Sequence, residues 1–273
     1  MKEHSFEEKV ACFLFFSFLK ALRRSLRKFI HFPRHAHEWT RVQGEFQAKG
    51  RIPGVVGTID GSLKEITRPE DFVGYYCRKM FPALYVQAVV DDTICFTSVK
   101  IRPGSWSDQN KWRAFTLGSN VKGFLPAGTH FLGDAGYAIS PAIMTPFMEN
   151  DGAGLTRKQL LYNYLDSRTR VAVECAFGFW KGRFRIVNCC IKTKCAEKAV
   201  GIVAATIVLH NNLLGLKDDT SLEDGDDVQV GCKEEEEFVV TGNNSEMTAS
   251  FLRDVGSRKR EFISAFTEAF GLV

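Results

Sequence analysis

Three carboxylates stand out by their settings. Asp60 closes the run Val55-Val56-Gly57-Thr58-Ile59, and Asp134 closes His130-Phe131-Leu132-Gly133. Glycine follows each closely, as Gly61 and Gly136. An apolar run ending on an acid reads as a buried strand whose last residue reaches the surface. Strand-terminal aspartates are also ordinary turn formers, so either one alone says little. Glu174 is the third. Val171, Glu174, Cys175, Gly178 and Lys181 recur at three- and four-residue steps, which predicts a helix from about Ser167 to Arg185 with Glu174 partly buried. A buried carboxylate is costly unless a cation meets it. Acids that converge on one point repel each other unless divalent cations lie between them. Oxygen ligands suit Mg²⁺ or Mn²⁺, and a pair of such ions about 4 Å apart can drive an in-line phosphoryl displacement.

Such chemistry needs rigid elements to hold the acids, and the chain offers them in order. The strand into Asp60 comes first, and Gly61 is expected to turn the chain sharply after it. Residues 84–91 and 94–101 are β-rich runs separated by Asp92-Thr93, a hairpin signal. Ser107 or Asp108 is expected to cap a helix to about Leu117; Asp108 also has the chemistry of a fourth ligand. The strand into Asp134 follows, and Ser140-Pro141 is expected to open a short helix. A strand over 186–194 and a buried helix over 196–215 complete the expected core. Upstream, residues 6–30 read as a helix with Arg23, Arg24, Arg27 and Lys28 on its polar side, followed by a second helix over His35–Ala48. Val10–Leu19 is apolar but too short to span a bilayer, so no membrane is expected.

The net charge of +4 hides an asymmetry, with +12 in residues 1–216 and −8 in residues 217–273. A basic body suits a polyanion, although a solvated surface has the same composition. The eight cysteines form no regular framework, and Cys189, Cys190 and Cys195 lack metal-ligand spacing. His130 and His210 read as structural. The boundaries are a helical region at 1–50, an α/β domain at 51–216, an acidic linker at 217–245 and a terminal helix at 246–273.

Six segments, taken together, resemble the nuclease domain of the PIF/Harbinger transposases and their domesticated relatives. They are Ile52-Pro53-Gly54-Val55-Val56-Gly57-Thr58-Ile59-Asp60-Gly61, Tyr76-Cys77-Arg78-Lys79, Val86-Gln87-Ala88-Val89-Val90-Asp91, Pro103-Gly104-Ser105-Trp106-Ser107-Asp108, Leu132-Gly133-Asp134-Ala135-Gly136-Tyr137 and Arg168-Thr169-Arg170-Val171-Ala172-Val173-Glu174-Cys175-Ala176-Phe177-Gly178. Trp180-Lys181-Gly182-Arg183-Phe184-Arg185 closes the run, and the likeness covers roughly residues 30–215.

The resemblance implies an RNase H-like mixed sheet flanked by helices. It also implies an Asp-Asp-Glu metal site carried over to Asp60, Asp134 and Glu174, with Mg²⁺ or Mn²⁺ as cofactor. The implied activity is DNA cleavage, with or without strand transfer, in the nucleus; a separate Myb-like protein is the implied partner for DNA binding. The chain departs from the family pattern at Leu63-Lys64 and at Ser107, where relatives carry histidine. Residues 1–50 are expected to be too few for the family's helix-turn-helix module. That shortening supports an alternative, a domesticated or truncated non-catalytic derivative that binds DNA or protein. Arg78 and Lys79 have the chemistry to grip phosphate. Lys181, Arg183 and Arg185 form a basic stripe with Trp180 and Phe184 interleaved, and Ser257-Arg258-Lys259-Arg260 reads as a short nuclear localisation signal.

Overall fold

The computed structural model describes residues 17, 21–22, 26–69, 74–105, 125–149, 154–193, 195–216 and 246–269. The helix expected over 107–117, the Trp106-Ser107-Asp108 segment, the acidic linker and most of the first expected helix lie outside them. Five strands form one mixed sheet in the order β3-β2-β1-β4-β5. They are β1 (Val55–Glu65), β2 (Ala83–Val90), β3 (Phe96–Pro103), β4 (His130–Gly133) and β5 (Ile143–Met144). Helices flank the sheet, as expected for the RNase H-like class. The helices are α1 (Leu26–Phe29), α2 (Ala36–Gly50), α3 (Arg157–Arg183), α4 (Arg185–Asn188), α5 (Ala196–Gly215) and α6 (Glu246–Ala269).

Two compact units divide the chain. One holds residues 61–107 and 175–221 with the N-terminal 33; the other holds 34–60, 108–174 and 222–273. Both β1 and α3 run through the boundary, β1 at Asp60–Gly61 and α3 at Glu174–Cys175.

In the first unit, β2 and β3 pair antiparallel from Leu84↔Pro103 to Val90↔Phe96. All eight residues of β2 are buried, so it reads as a continuous apolar run. The turn between these strands is built by Asp91, whose Oδ1 accepts from the Thr93 and Cys95 N–H groups at 2.9 and 3.0 Å. Phe96 anchors the core, with ring centroids 5.5 Å from Phe177, 6.2 Å from Trp180 and 5.2 Å from His210. The Asn211 amide closes this cluster by accepting from Phe96 N–H at 3.0 Å and donating to Phe96 C=O at 2.8 Å. α5 is long and apolar enough to cross a membrane, yet ten of its residues are buried and it packs on β3 and α1. Trp180 is fully buried and donates to Thr206 Oγ1 at 3.1 Å, so it belongs to the core rather than to a nucleic-acid face. Lys64, one of the departures from the family pattern, also points inward. It donates to Val187 C=O at 2.6 Å and lies over the Trp180 ring. Burial pushes its pKa down to about 7, and Lys181 adds to the fall.

Several expectations are corrected here. β1 does not turn at Gly61 but continues to Glu65. The glycine is required for another reason: a Cβ at that position would overlap the Tyr85 hydroxyl and ring. Among the described residues no strand forms over 186–193; α4 occupies 185–188, and an isolated bridge pairs Ile66 with Ile191. Ser140-Pro141 leads into the short strand β5, not a helix.

In the second unit, β4 runs parallel to both β1 and β5. Trp39, Val42 and Phe46 form the buried stripe of α2. At the end of that helix Gly50 lies so close to α3 that a Cβ would overlap Thr169. α6 binds the segment around β4 and β5. Lys259 donates to Thr129 C=O at 2.9 Å and Pro141 C=O at 2.8 Å, and Arg260 donates to Thr145 C=O at 3.2 Å and Pro146 C=O at 2.8 Å. Gly256 sits directly on the Ser140 backbone. His130 is fully buried, as the structural reading expects.

Gly61→Ala is expected to destabilise the protein by about 1–3 kcal/mol through overpacking. The penalty should largely disappear in a Tyr85→Ala background. Equal costs in the two backgrounds, measured by urea unfolding, would show that the Tyr85 ring is not the cause.

Candidate functional site

The ladder between β1 and β4 positions the two aspartates. Thr58 pairs with Leu132 and Ile59 with Gly133. Asp60 and Asp134 are therefore the next step of two parallel strands, on chain paths roughly 5 Å apart. Both are half-buried. Asp134 also shapes its own turn: its Oδ1 accepts from Gly136 N–H at 3.2 Å and its C=O from Tyr137 N–H at 3.1 Å.

α3 carries the third acid. It begins ten residues before the expected start, at Arg157 rather than Ser167. A reciprocal cap opens it: Gln159 N–H donates to Thr156 Oγ1 at 3.3 Å, and Thr156 N–H donates to Gln159 Oε1 at 3.0 Å. The extra turns set Tyr162, Asp166, Arg170 and Glu174 at four-residue steps along one helix. Glu174 is exposed, not partly buried as expected, and Val171 beside it is 46% exposed.

Asp166 is the residue that sequence reasoning missed. It is fully buried, and its Oδ2 accepts from Arg170 Nε at 3.0 Å. Among the described residues its Oδ1 has no hydrogen-bond partner, nor has the buried Tyr162 hydroxyl one turn away. Burial raises Asp166 to about 6 against the pull of Arg170, and the charge of Asp134 adds to the rise. Burial works against the charge of Arg170, but Asp166, Asp134 and Glu174 together raise its pKa. One guanidinium therefore lies within the field of three acids from two elements. The signal that locates Asp166 in the sequence is the Thr156-x-x-Gln159 cap, because a helix starting there includes it.

The donor chemistry fits a hard cation, since Asp60, Asp134 and Glu174 offer only carboxylate oxygens. The arrangement brings Asp60 and Asp134 together and leaves Glu174 linked to Asp134 through the field at Arg170. Among the described residues no three His, Cys, Asp or Glu side chains stand close enough to share one ion. A cleft of about 420 Å³ opens beside Asp134, walled by Ala135, Tyr137, Phe147, Met148, Gln159 and Arg260. The Arg260 guanidinium stacks on the Phe147 ring at 4.0 Å. Lys259 and Arg260 are thus half-buried and bonded to backbone carbonyls. Arg78 and Lys79, by contrast, are exposed at the tip of a turn closed by the Tyr76–Pro82 bridge.

Residues 59–211 match the family model described as DDE superfamily endonuclease. Among curated proteins, "Putative nuclease HARBI1" of Bos taurus is 29% identical over 216 residues, and the protein of the same name from Homo sapiens is 28% identical over 216 residues. Each alignment covers 77% of this chain and 58% of the relative, so the chain spans less than two thirds of the length of these relatives. No solved structure matches the chain significantly.

Stability should depend on pH through three buried groups. Burial lowers His130 to about 3 and His210 to about 4. Unfolded histidines bind protons below about pH 6.5 that the folded ones refuse, so stability falls as pH drops from there. Asp166 works in the opposite sense, because the folded state binds its proton near pH 6 and the unfolded state only near 3.8. Its contribution rises as pH falls through that window and offsets part of the histidine loss. Asp166→Asn should therefore steepen the decline of the urea midpoint between pH 6 and pH 4. An unchanged slope would show that Asp166 does not hold a proton there.

Proposed function

The chain belongs to the DDE superfamily endonucleases, and from that membership we propose that it is a divalent-metal-dependent DNA nuclease of the Harbinger transposase type. It would cleave phosphodiester bonds in DNA, with strand transfer where a DNA 3′-hydroxyl replaces water as nucleophile. The observation that carries this reading is the β1–β4 register, which brings Asp60, within β1, beside Asp134, the residue after β4. Two like charges that close repel, and a divalent ion held between them would relieve that repulsion. Asp60 and Asp134 would hold Mg²⁺ or Mn²⁺, with Glu174 completing the set. Held there, such ions would supply activation of the nucleophile and stabilisation of the leaving oxygen.

The protein's own groups supply the rest. β1 and β4 fix the two aspartates on rigid backbone, and the Gly136 N–H holds the Asp134 carboxylate in one orientation. Arg78 and Lys79 reach solvent and would bind backbone phosphates of the substrate. The cleft beside Asp134 is large enough for a nucleotide-sized group. A nuclear location and a separate Myb-like DNA-binding partner belong to the same reading, and both rest on the family resemblance.

A second reading has one observation in its favour: among the described residues the three acids do not form one cluster. On that reading the protein is a non-catalytic derivative that binds DNA or protein.

Nicking of supercoiled plasmid in Mn²⁺ or Mg²⁺ separates the two. The nuclease reading expects cleavage that chelator abolishes and that Asp60→Asn, Asp134→Asn and Glu174→Gln each reduce by about two orders of magnitude or more. DNA binding without cleavage, unchanged in all three variants, would leave the binder. Calorimetric titration with Mn²⁺ adds a direct readout, since Asp60→Asn should abolish binding if the carboxylates are the ligands.

A further inference from the structure

The nuclease reading leaves Arg170 without a part. We propose that Arg170, moored by Asp166, is a positioning residue that serves as the resident counter-cation of the acid set, against which an incoming divalent ion must compete.

The inference rests on the metal reading of Asp60, Asp134 and Glu174, and the geometry of α3 carries it. Arg170 lies one helical turn from Glu174 and one turn from Asp166. Its Nε donates to Asp166 Oδ2 at 3.0 Å, and the carboxylate that receives it is fully buried. That mooring fixes only one of the guanidinium's donor directions; a guanidinium carries five N–H groups in a rigid fork. The charge of Asp134 acts on the same guanidinium from the turn after β4, and that of Glu174 acts from the next turn of α3. A surface ion pair would need no such depth. Asp166 takes up a fully buried position with one oxygen left unbonded among the described residues. That costs stability, and it holds the guanidinium at a fixed place one helical turn from Glu174.

An arginine in that position has two opposed effects on a divalent ion. It lowers the repulsion between the acids when no ion is bound. It also raises the potential that the ion must enter. Asp166 modulates the second effect by drawing the guanidinium toward itself and away from the acids. The two residues therefore have opposite signs in metal affinity. Removing the cation tightens binding, whereas removing its mooring lets the cation fall back on Asp134 and Glu174 and weakens binding.

The test is calorimetric titration of the full chain with Mn²⁺ for wild type, Arg170→Gln, Arg170→Lys, Asp166→Asn and the double variant. Arg170→Gln should lower Kd about tenfold, the effect of one partly screened unit charge. Arg170→Lys, which keeps the charge, should stay within about threefold of wild type. Asp166→Asn should raise Kd several-fold, and the double variant should match Arg170→Gln alone. That last equality distinguishes mooring from a simple sum of charges, in which Asp166→Asn would weaken binding equally in both backgrounds. An Arg170→Gln affinity that is unchanged or weaker overturns the proposal, as does an additive double variant. Should Arg170→Gln fail to fold, Asp166→Asn binding as tightly as wild type overturns it, and the several-fold loss supports it. Wild-type binding that Asp60→Asn abolishes, combined with any of these failures, removes the counter-cation and leaves the metal site. No Mn²⁺ binding by wild type, or binding indifferent to Asp60→Asn, overturns the metal reading and this inference with it.

Discussion

The register of two parallel strands is the constraint on which the rest depends. Ile59 faces Gly133 across the ladder, so Asp134, the residue after β4, comes beside Asp60 within β1. Parallel neighbours cannot be joined by a tight turn, and residues 66–129 separate these two strands. The pairing must therefore be specified by burial. Every residue of β4 and every residue of β1 up to Ile59 is buried, so a slip by one position would turn an apolar side chain outward and an acid inward. The same hydrophobic pattern that stabilises the sheet thus brings the carboxylates into line.

Two elements remote in sequence reinforce that alignment. α6 reaches across to bond four backbone carbonyls between Thr129 and Pro146, on both sides of Asp134. α3 brings a buried acid and its arginine to the same neighbourhood. Neither contribution is apolar packing alone. Lys259 and Arg260 donate to carbonyls flanking the short strands β4 and β5, groups that would be costly to leave buried without a partner.

Much of this was legible in the sequence. The strands into Asp60 and Asp134, the hairpin between them and the buried helix after Ala196 follow from runs of apolar residues bounded by turn formers. The structural role of the two histidines was legible as well. What was not legible came from contacts across long sequence separations. Gly61 looks like a turn residue because glycine commonly is one; its need arises from the Tyr85 ring, on another strand. Asp166 was hidden because the periodicity around Val171 gives no start for the helix, and only the Thr156–Gln159 cap extends it far enough. Glu174 seemed buried because its neighbours at three- and four-residue steps are small or apolar, yet small residues on a helix do not imply a partner facing them. The chain over 186–194 has strand composition, but among its described residues only Ile191 pairs, and Arg185–Asn188 coil into a helical turn instead.

The Asn211 amide has a consequence beyond its packing. Among the described strands β3 stands at the edge, and an edge strand offers its outward N–H and C=O groups to any extended chain that approaches. At Phe96, where β3 begins, both groups are already taken by a single side chain acting as a strand one residue long. An intruding strand would have to break two hydrogen bonds and expose the Phe96 aromatic cluster before making its first pair there. The sheet is thereby closed at that corner against strand addition by another copy of itself, with a side-chain amide as the lock.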